Sequence, residues 1–215
     1  MFAVLFEILP RPDQFNAYLG YAKMLAPEVN RLDGFLGVVR YRSLTREGWI
    51  LSLSSWQDEG AIVRWRMAPE HRDVQAKGRS EVFLDYRIRV GQLVRDLRAA
   101  DIDASHKRGK DSLESTGAST VTLIDAKWTV ERVEQSNPED VAKWRGLDVN
   151  TKGYVSWDVF EAVLTPGDII LVISWSDETA ANAFDAVVSL PNGARFRRVS
   201  VVRDYGMFDR REAPQ

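Results

Sequence analysis

The sequence predicts an α+β fold built from two copies of one strand–helix–strand–strand–helix–strand unit, and two observations lead to this prediction. Apolar residues recur at every second position in some segments and at every third or fourth in others, in that order of elements. The order then starts again, with glycines and tryptophans recurring at a constant shift of 119 positions, as from Gly34 to Gly153. A chain of 215 residues has room for two domains of about 100 residues each.

The first copy opens with a strand and a helix. The apolar run from Phe2 to Leu9 predicts a buried strand, which Pro10 ends because proline cannot donate to a ladder. Helical spacing starts after Asp13, which is placed to cap the helix. The string Leu32-Asp33-Gly34 then ends the helix and turns the chain.

A hairpin and a broken helix follow. Strands are predicted over 35–43 and 49–56, joined by a short polar loop that contains Gly48. Asp58 suits the first turn of a helix because negative charge there interacts favourably with the helix dipole. Pro69 suits the first position of a second helical segment, because its missing N–H would have no partner there anyway.

The last strand of the first copy is predicted over 86–97. Its alternation places Ile88 and Val90 on one face and Arg87 and Arg89 on the other. The complete order of elements, βαββαβ, is the ferredoxin-like arrangement.

The repeat is uneven after its second helix. The shift of 119 positions pairs Trp56 with Trp175, but Val94 matches Val202 only at a shift of 108, which is 11 positions less. Phe184 stands where the first copy has its second tryptophan. The second copy has therefore lost the segment in which the first copy places its candidate site.

A polar stretch, 99–119, separates the two copies. It is rich in Ser, Gly, Lys and Asp and poor in large apolar residues, which is typical of a linker. The predicted domains are 1–98, which carries the candidate pocket, and 120–215, a degenerate copy.

The composition excludes several classes of function. A formal net charge of −2 gives no attraction for nucleic acid or for an anionic membrane. The absence of cysteine excludes disulfides and sulfur-ligated zinc, and two histidines are too few for a His-rich metal site. No apolar run approaches the roughly 18 residues of a membrane span, and no basic leader precedes the first strand. We therefore expect a cytoplasmic protein with no nucleic-acid or membrane partner.

The stretch from Trp65 to Gly78 belongs to the first copy alone and holds most candidate site residues. Trp65 either lines a ligand site or fills core. His71, Val74, Gln75 and Gly78 follow helical spacing and share one face, which is too polar for an ordinary core surface. His71 either borders a cavity, where a neutral imidazole can take a substrate proton, or sits in solvent near the start of its helix.

Other aromatic residues have simpler interpretations. Phe83 and Tyr86 are expected to pack against the sheet, and Tyr86 is also placed to present its hydroxyl to a phenolic substrate. Trp56 is expected to be structural because Trp175 repeats it. Three tryptophans of the second copy are assigned to the core or to the interface of the copies: Trp128, Trp144 and Trp157.

Several strings of the first copy resemble one known family. They are SLSSW, the acidic turn DE, the tryptophan that follows, PEHR, AKGR and YRIRV, and they resemble antibiotic biosynthesis monooxygenase (ABM) domains. ISWSDE and VVRDY extend the resemblance, more weakly, to the second copy. It implies ferredoxin-like domains that pair as dimeric α+β barrels, each with a pocket between helices and sheet. We therefore expect the tandem chain to form an intramolecular dimeric α+β barrel.

The resemblance also implies a function. The leading hypothesis is a cofactor-independent monooxygenase that oxidises an electron-rich aromatic or polycyclic small molecule, since the chain has no Gly-rich nucleotide motif. His71 is the catalytic candidate. The substrate-binding candidates are Trp65, Val74, Gln75, Phe83 and Tyr86. No metal and no cofactor are predicted, and the expected partners are a small aromatic or hydrophobic molecule and a second tandem chain in a homodimer.

Two alternatives stay open. The first is a non-catalytic protein that binds a small ligand or is associated with stress. The second is a haem-degrading monooxygenase, which the sequence disfavours because Gln75 stands where the resemblance places the proximal histidine. His71, one turn earlier, is then the only substitute in this stretch.

Overall fold

The computed structural model describes residues 1–98, 119–129, 132–133, 137–144, 146–188, 190 and 192–214. The predicted linker lies outside these ranges except for Ser119. The chain forms two compact units. Unit 1 consists of Met1–Arg40, Gly48–Gly91 and Arg203–Gln215, and unit 2 consists of Tyr41–Glu47 and Gln92–Val202.

The first copy supplies four strands, three α-helices and a π-helical turn. In chain order they are β1 (Phe2–Pro10), α1 (Phe15–Val29), β2 (Phe35–Ser43), β3 (Ile50–Trp56), α2 (Glu59–Met67), α3 (Pro69–Lys77), the π-helical turn (Gly78–Val82) and β4 (Phe83–Arg98). The second copy supplies β5 (Thr120–Lys127), α4 (Pro138–Trp144), β6 (Tyr154–Ala162), β7 (Asp168–Trp175), α5 (Glu178–Asp185) and β8 (Arg195–Gly206). No helix in the described ranges is long and apolar enough to cross a membrane.

Both copies have the strand order of a ferredoxin-like sheet. In unit 1, β1 lies between β3 and β4, and β2 lies beside β3. β1 and β3 are antiparallel, with Phe2 opposite Trp56 and Ile8 opposite Ile50. In unit 2, β5 lies between β7 and β8, and Thr120 is opposite Trp175. The predicted α+β class with two ferredoxin-like repeats is confirmed.

The repeat is visible in the turn that precedes β2 and in its counterpart before β6. Gly34 has φ 91° and Gly153 has φ 83°, and each carbonyl accepts a backbone hydrogen bond of 2.8 Å from the residue after the strand tryptophan. A Cβ on Gly34 would lie 2.7 Å from the Cβ of Ala61, and one on Gly153 would lie 2.5 Å from that of Ala180. Only glycine suits this left-handed, crowded position, which explains its recurrence.

The second helix of each copy begins in the same way. The side chain of Asp58 accepts a hydrogen bond of 2.7 Å from the N–H of Ala61, and that of Asp177 accepts one of 2.9 Å from the N–H of Ala180. Both aspartates thus cap a helix N-terminus. Asp58 therefore lies one position before the first turn in which the sequence placed it, and Glu59 is the acidic residue of that turn.

The structure corrects two predicted boundaries. Asp13 does not cap α1, because it adopts a left-handed conformation with φ 66° in a turn that the N–H of Gln14 closes on the carbonyl of Arg11. The helix begins at Phe15 without a side-chain cap. β4 begins at Phe83, three residues earlier than predicted, because the buried side chain of Phe83 already belongs to the sheet core.

Two aromatic clusters lie among the described residues of unit 1. The Tyr86 cluster consists of Ile8, Tyr18, Ile50, Val82, Phe83 and Tyr86. The Trp56 cluster consists of Val29, Trp56 and Ala61, and Trp65 packs against it. A larger cluster in unit 2 contains Trp128, Trp175 and Phe184, with Trp157 packed against it. The side chain of Trp144 lies outside the described part of the chain.

Unit 1 also buries an ion pair that the strand pattern did not predict. Arg89, on the face of β4 assigned to polar residues, is only 3% exposed and donates to the carboxylate of Glu7 on β1. Burial lowers the pKa of Arg89, and the Glu7 charge opposes that shift. The pairing therefore keeps a buried guanidinium charged.

Candidate functional site

The candidate site begins at the junction of α2 and α3. We call residues 65–71, which form this junction, the elbow. Ala68 joins the two helices with φ −57° and ψ 129°, an extended conformation that the following Pro69 favours. The elbow brings the rings of Trp65 and His71 together, with ring centroids 4.3 Å apart and an interplanar angle of 15°. The two residues predicted to act together are therefore stacked.

The hydrogen bonds of His71 determine which ring nitrogen is basic. Its Nδ1 lies 2.9 Å from the carbonyl oxygen of Trp65, which only accepts, so Nδ1 carries the proton. The side-chain amide of Gln75 lies 3.1 Å from the same nitrogen and is expected to turn its oxygen toward it. The lone pair of the neutral ring is then on Nε2, which is the atom available as a base or ligand.

Burial favours the neutral form of this imidazole. It lowers the pKa of His71 below its ordinary value of 6.5, while the hydrogen bond to the Trp65 carbonyl opposes the shift. The side chain is half-buried rather than free in solvent. At neutral pH the ring is therefore uncharged and able to accept a proton.

The predicted face of α3 is the packed face of the helix. His71, Val74 and Gln75 are half-buried and Gly78 is buried, whereas the residues between them are exposed. A Cβ on Gly78 would lie 2.7 Å from the ring of Phe83, so α3 approaches β4 closely there. The helix therefore turns its candidate residues toward the body of unit 1.

An open groove of about 380 Å³ lies along α3. Its lining residues are Met67, Pro69, Arg72, Asp73, Gln75, Ala76 and Arg79. Gln75 is the only sequence-predicted candidate among them. The groove is thus not the aromatic pocket that the sequence predicted around Trp65 and His71.

The remaining candidates lie in the Tyr86 cluster. The ring centroids of Phe83 and Tyr86 are 6.3 Å apart, and Phe6 lies 5.7 Å from Phe83 and 5.9 Å from Tyr86. Tyr18 completes the group at 6.1 Å from Phe83. The structure therefore divides the predicted residues into two sets, the elbow and the Tyr86 cluster.

The Tyr86 cluster has a further neighbour that the sequence did not indicate. The N–H of Met207 donates to the carbonyl of Tyr86 at 3.0 Å, and Nη1 of Arg210 donates to its hydroxyl at 2.6 Å. We call 205–213 the C-terminal strap. The two residues are 124 positions apart and no sequence pattern connects them, so the sequence held no signal for this contact.

In the part of the chain that the structure describes, no group of three or more His, Asp or Glu side chains could hold a metal ion. In the haem alternative, His71 would have only Nε2 to offer, because Nδ1 is bonded to the Trp65 carbonyl. Gln75, at the position where the resemblance places a histidine, contacts His71 instead.

Comparison with known proteins gives two kinds of similarity. Residues 1–77 match the model of the antibiotic biosynthesis monooxygenase family. The chain is 44% identical over 220 residues to the jasmonate monooxygenase ABM of Pyricularia oryzae, with 100% of this chain and 97% of that protein covered.

Solved structures extend the likeness at the level of fold alone. A crystal structure of an aldoxime dehydratase is similar over 93% of this chain and 80% of that chain, at 12% identity and a TM-score of 0.56. The aldoxime dehydratase OxdRE in complex with butyraldoxime covers 93% of this chain and 79% of its own, at 10% identity and a TM-score of 0.53. The high identity to a relative along the whole chain decides the assignment: the chain belongs to the antibiotic biosynthesis monooxygenase family.

Proposed function

We propose that this protein is a monooxygenase that transfers one oxygen atom of O₂ to a small hydrophobic molecule, and that jasmonate is a substrate. The observation that carries the proposal is the 44% identity, along the whole chain, to a protein named for that activity. The fold alone would not support it, since one fold hosts many activities.

The two candidate substrate classes differ in where the electrons come from. Hydroxylation of jasmonate converts a C–H bond into C–OH and the second oxygen atom into water, so it consumes two electrons from an external reductant. Oxidation of an electron-rich aromatic CH₂ group, as in an anthrone, to a carbonyl forms one water per O₂. In that reaction the substrate itself supplies all four electrons.

The aromatic class stays a second candidate because of the elbow geometry. An electron-rich aromatic compound reacts with O₂ after it loses a proton, and Nε2 of His71 is a neutral acceptor for that proton. The Trp65 carbonyl, bonded to Nδ1, would stabilise the imidazolium that forms. Trp65 and Val74 are the proposed apolar contacts and Gln75 the proposed polar contact of the substrate.

The test is oxygen incorporation by the purified protein. Jasmonate and an anthrone are each incubated with isotopically labelled O₂, with and without a two-electron reductant, and the products are analysed by mass spectrometry. We expect jasmonate to gain one labelled oxygen atom only when the reductant is present. A labelled ketone from the anthrone without reductant would favour the aromatic class instead.

His71→Gln tests the base, with Arg72→Gln as its matched control because Arg72 is the exposed neighbour on the same helix. On the aromatic substrate, which must lose a proton before it reacts with O₂, we expect His71→Gln to lose activity by about 10²-fold or more. We expect Arg72→Gln to retain that activity. If no labelled oxygen enters any compound, the non-catalytic ligand-binding alternative replaces the monooxygenase.

A further inference from the structure

The C-terminal strap forms part of the surroundings of Tyr86 in unit 1. Met207 is bonded to the Tyr86 backbone, and its side chain packs against the Tyr86 cluster. A Cβ on Gly206 would lie 3.0 Å from the Tyr86 carbonyl oxygen, so the strap runs directly along β4 there. Tyr86 is only 5% exposed, and its hydroxyl accepts a hydrogen bond from Arg210.

The charges of several arginines also act on a second phenol, that of Tyr205. Burial raises the pKa of Tyr205, the first residue of the strap, and the charges of Arg66, Arg210 and Arg203 act in the opposite direction. The phenol of Tyr86 also influences the same group. Of these groups, Arg210 and Tyr86 are in direct contact, at 2.6 Å.

The arginines differ in their partners. Arg203 forms an ion pair with Glu59 at 2.7 Å, and Arg211, next along the strap, forms one with Asp209 at 2.6 Å. Within the described residues, Arg66 and Arg210 have no carboxylate within salt-bridge distance. Arg210 donates to the phenol oxygen of Tyr86, and this bond uses one of its five N–H donors.

A guanidinium with free donors beside a phenol suits a carboxylate. Two N–H groups of an arginine bind both oxygens of a carboxylate, and such charge-assisted bonds are about twice as strong as neutral ones. The O–H of Tyr86 has no acceptor among the described residues, so it can donate to the same anion. The apolar neighbours of this phenol are the other members of the Tyr86 cluster and Met207, which packs against the cluster and is half-buried.

We propose that Arg210 is a specificity-determining residue of unit 1 that binds the carboxylate of a small hydrophobic acid, with the apolar part of that acid against the Tyr86 cluster. This inference rests on the proposed function, in which the substrate is jasmonate, a carboxylic acid. Under this proposal the second sequence repeat contributes to the substrate site of unit 1, because the strap that supplies Arg210 belongs to that repeat.

The test compares the binding of an acid with the binding of its neutral ester. Calorimetry measures the dissociation constants of jasmonate and methyl jasmonate for the wild-type chain, Arg210→Gln and Arg211→Gln. Glutamine retains a donor for the Tyr86 hydroxyl but removes the charge, and Arg211→Gln removes the same charge one residue away. We expect the wild type and Arg211→Gln to prefer the acid by roughly tenfold or more, and Arg210→Gln to lose that preference.

Three outcomes would overturn the inference: no binding of jasmonate, equal binding of acid and ester by the wild type, or an equal loss for both ligands in Arg210→Gln. The last would show that Arg210 only holds the strap in place. Failure of the proposed function looks different, because acid-selective binding without product would leave the inference intact. Product formation without acid selectivity would reject the inference and leave the function.

Discussion

The contacts of His71 give it a structural role between two helices and leave one ring nitrogen as a base. Its Nδ1–H bonds to a carbonyl in the last turn of α2, and its ring stacks on Trp65, so it joins α2 to α3. Its other nitrogen keeps the lone pair that a base requires. A substitution at His71 therefore disturbs both the elbow and any proton transfer, and only pH-dependent measurements separate the two.

The lowered pKa of His71 predicts a pH dependence of stability. Because the folded state disfavours the charged ring, the unfolded state binds more protons once the pH falls below about 6.5. The stability that this site contributes is complete above that pH and is lost as the pH falls through the folded-state pKa. We expect the unfolding free energy of the wild type to decrease between about pH 7 and pH 5 more steeply than that of His71→Gln.

Urea unfolding of both proteins at several pH values measures this difference. An NMR titration of the two histidine side chains, assigned with the His71→Gln variant, reports the pKa directly. Parallel stability curves for the two proteins, or a His71 pKa at or above 6.5, would contradict the prediction.

The buried pair of Glu7 and Arg89 predicts a large effect from a small substitution. Glu7→Gln would remove the carboxylate charge to which a guanidinium that is 3% exposed donates, and we expect a loss of about 3–5 kcal/mol in unfolding free energy. Asp204→Asn is the control, because Asp204 pairs with the half-exposed Arg87 at 2.5 Å and such a pair contributes at most about 1 kcal/mol. Equal losses in the two variants, measured by chemical unfolding, would refute this ranking.

At the scale of elements, the path from α2 to β4 is what distinguishes the first copy. It contains the elbow at Ala68, the half-buried face of α3 and the π-helical turn that leads into Phe83. In the described residues between α5 and β8, the second copy has none of these elements. The 11-position difference between the two repeat shifts corresponds to this path, which carries the elbow set of candidate residues.

Gly78 predicts how tightly this path is packed. In Gly78→Ala the new Cβ would lie 2.7 Å from the Phe83 ring, and we expect a loss of about 1–3 kcal/mol in unfolding free energy. Gly20→Ala is the matched control, because Gly20 lies in α1 and its new methyl group would have no atom of another residue within 4 Å, apart from its own helix backbone and chain neighbours. Removing a helical glycine there should stabilise the chain by about 0.5–1 kcal/mol. Thermal unfolding of both variants shows whether each substitution stabilises or destabilises the chain. A stabilised Gly78→Ala would contradict the packing argument.

At the scale of the whole molecule, the compact units do not coincide with the two sequence repeats. Unit 1 includes 203–215, and unit 2 includes 41–47. The C-terminal segment contributes the ion pairs of Arg203 with Glu59 and of Asp204 with Arg87 to unit 1, besides the strap. The domain boundaries at 98 and 120 stay a prediction that folding experiments can test.

A fragment of residues 1–98 is therefore expected to fold poorly. It lacks every contact that 203–215 makes within unit 1, including the cover of Tyr86 by Met207. We expect a poorly dispersed NMR spectrum and no cooperative thermal transition, in contrast to the full chain. A dispersed spectrum with a cooperative transition would show that the first repeat is an independent domain.

The sequence by itself determined the repeated unit and most of its elements. Local rules were sufficient there: Gly34 and Gly153 recur because their turns need a left-handed residue without a Cβ, and Asp58 and Asp177 recur because each caps a helix. The shared face of His71 and Gln75 also followed from helical spacing. The left-handed turns, the helix caps and the shared helix face depend on neighbours within a few positions, whereas the crowding of Gly34 by Ala61 and of Gly153 by Ala180 comes from the following helix.

Only the tertiary structure decided the features that depend on residues far apart in the chain. Asp13 turns left-handed where the chain leaves β1, Arg89 is buried because Glu7 faces it from another strand, and Tyr86 meets Arg210 across 124 positions. The predicted site likewise separated into the elbow and the Tyr86 cluster. Periodicity shows which face of an element is apolar, but it does not show which distant group that face meets, because packing and charge pairing are chosen by the whole fold.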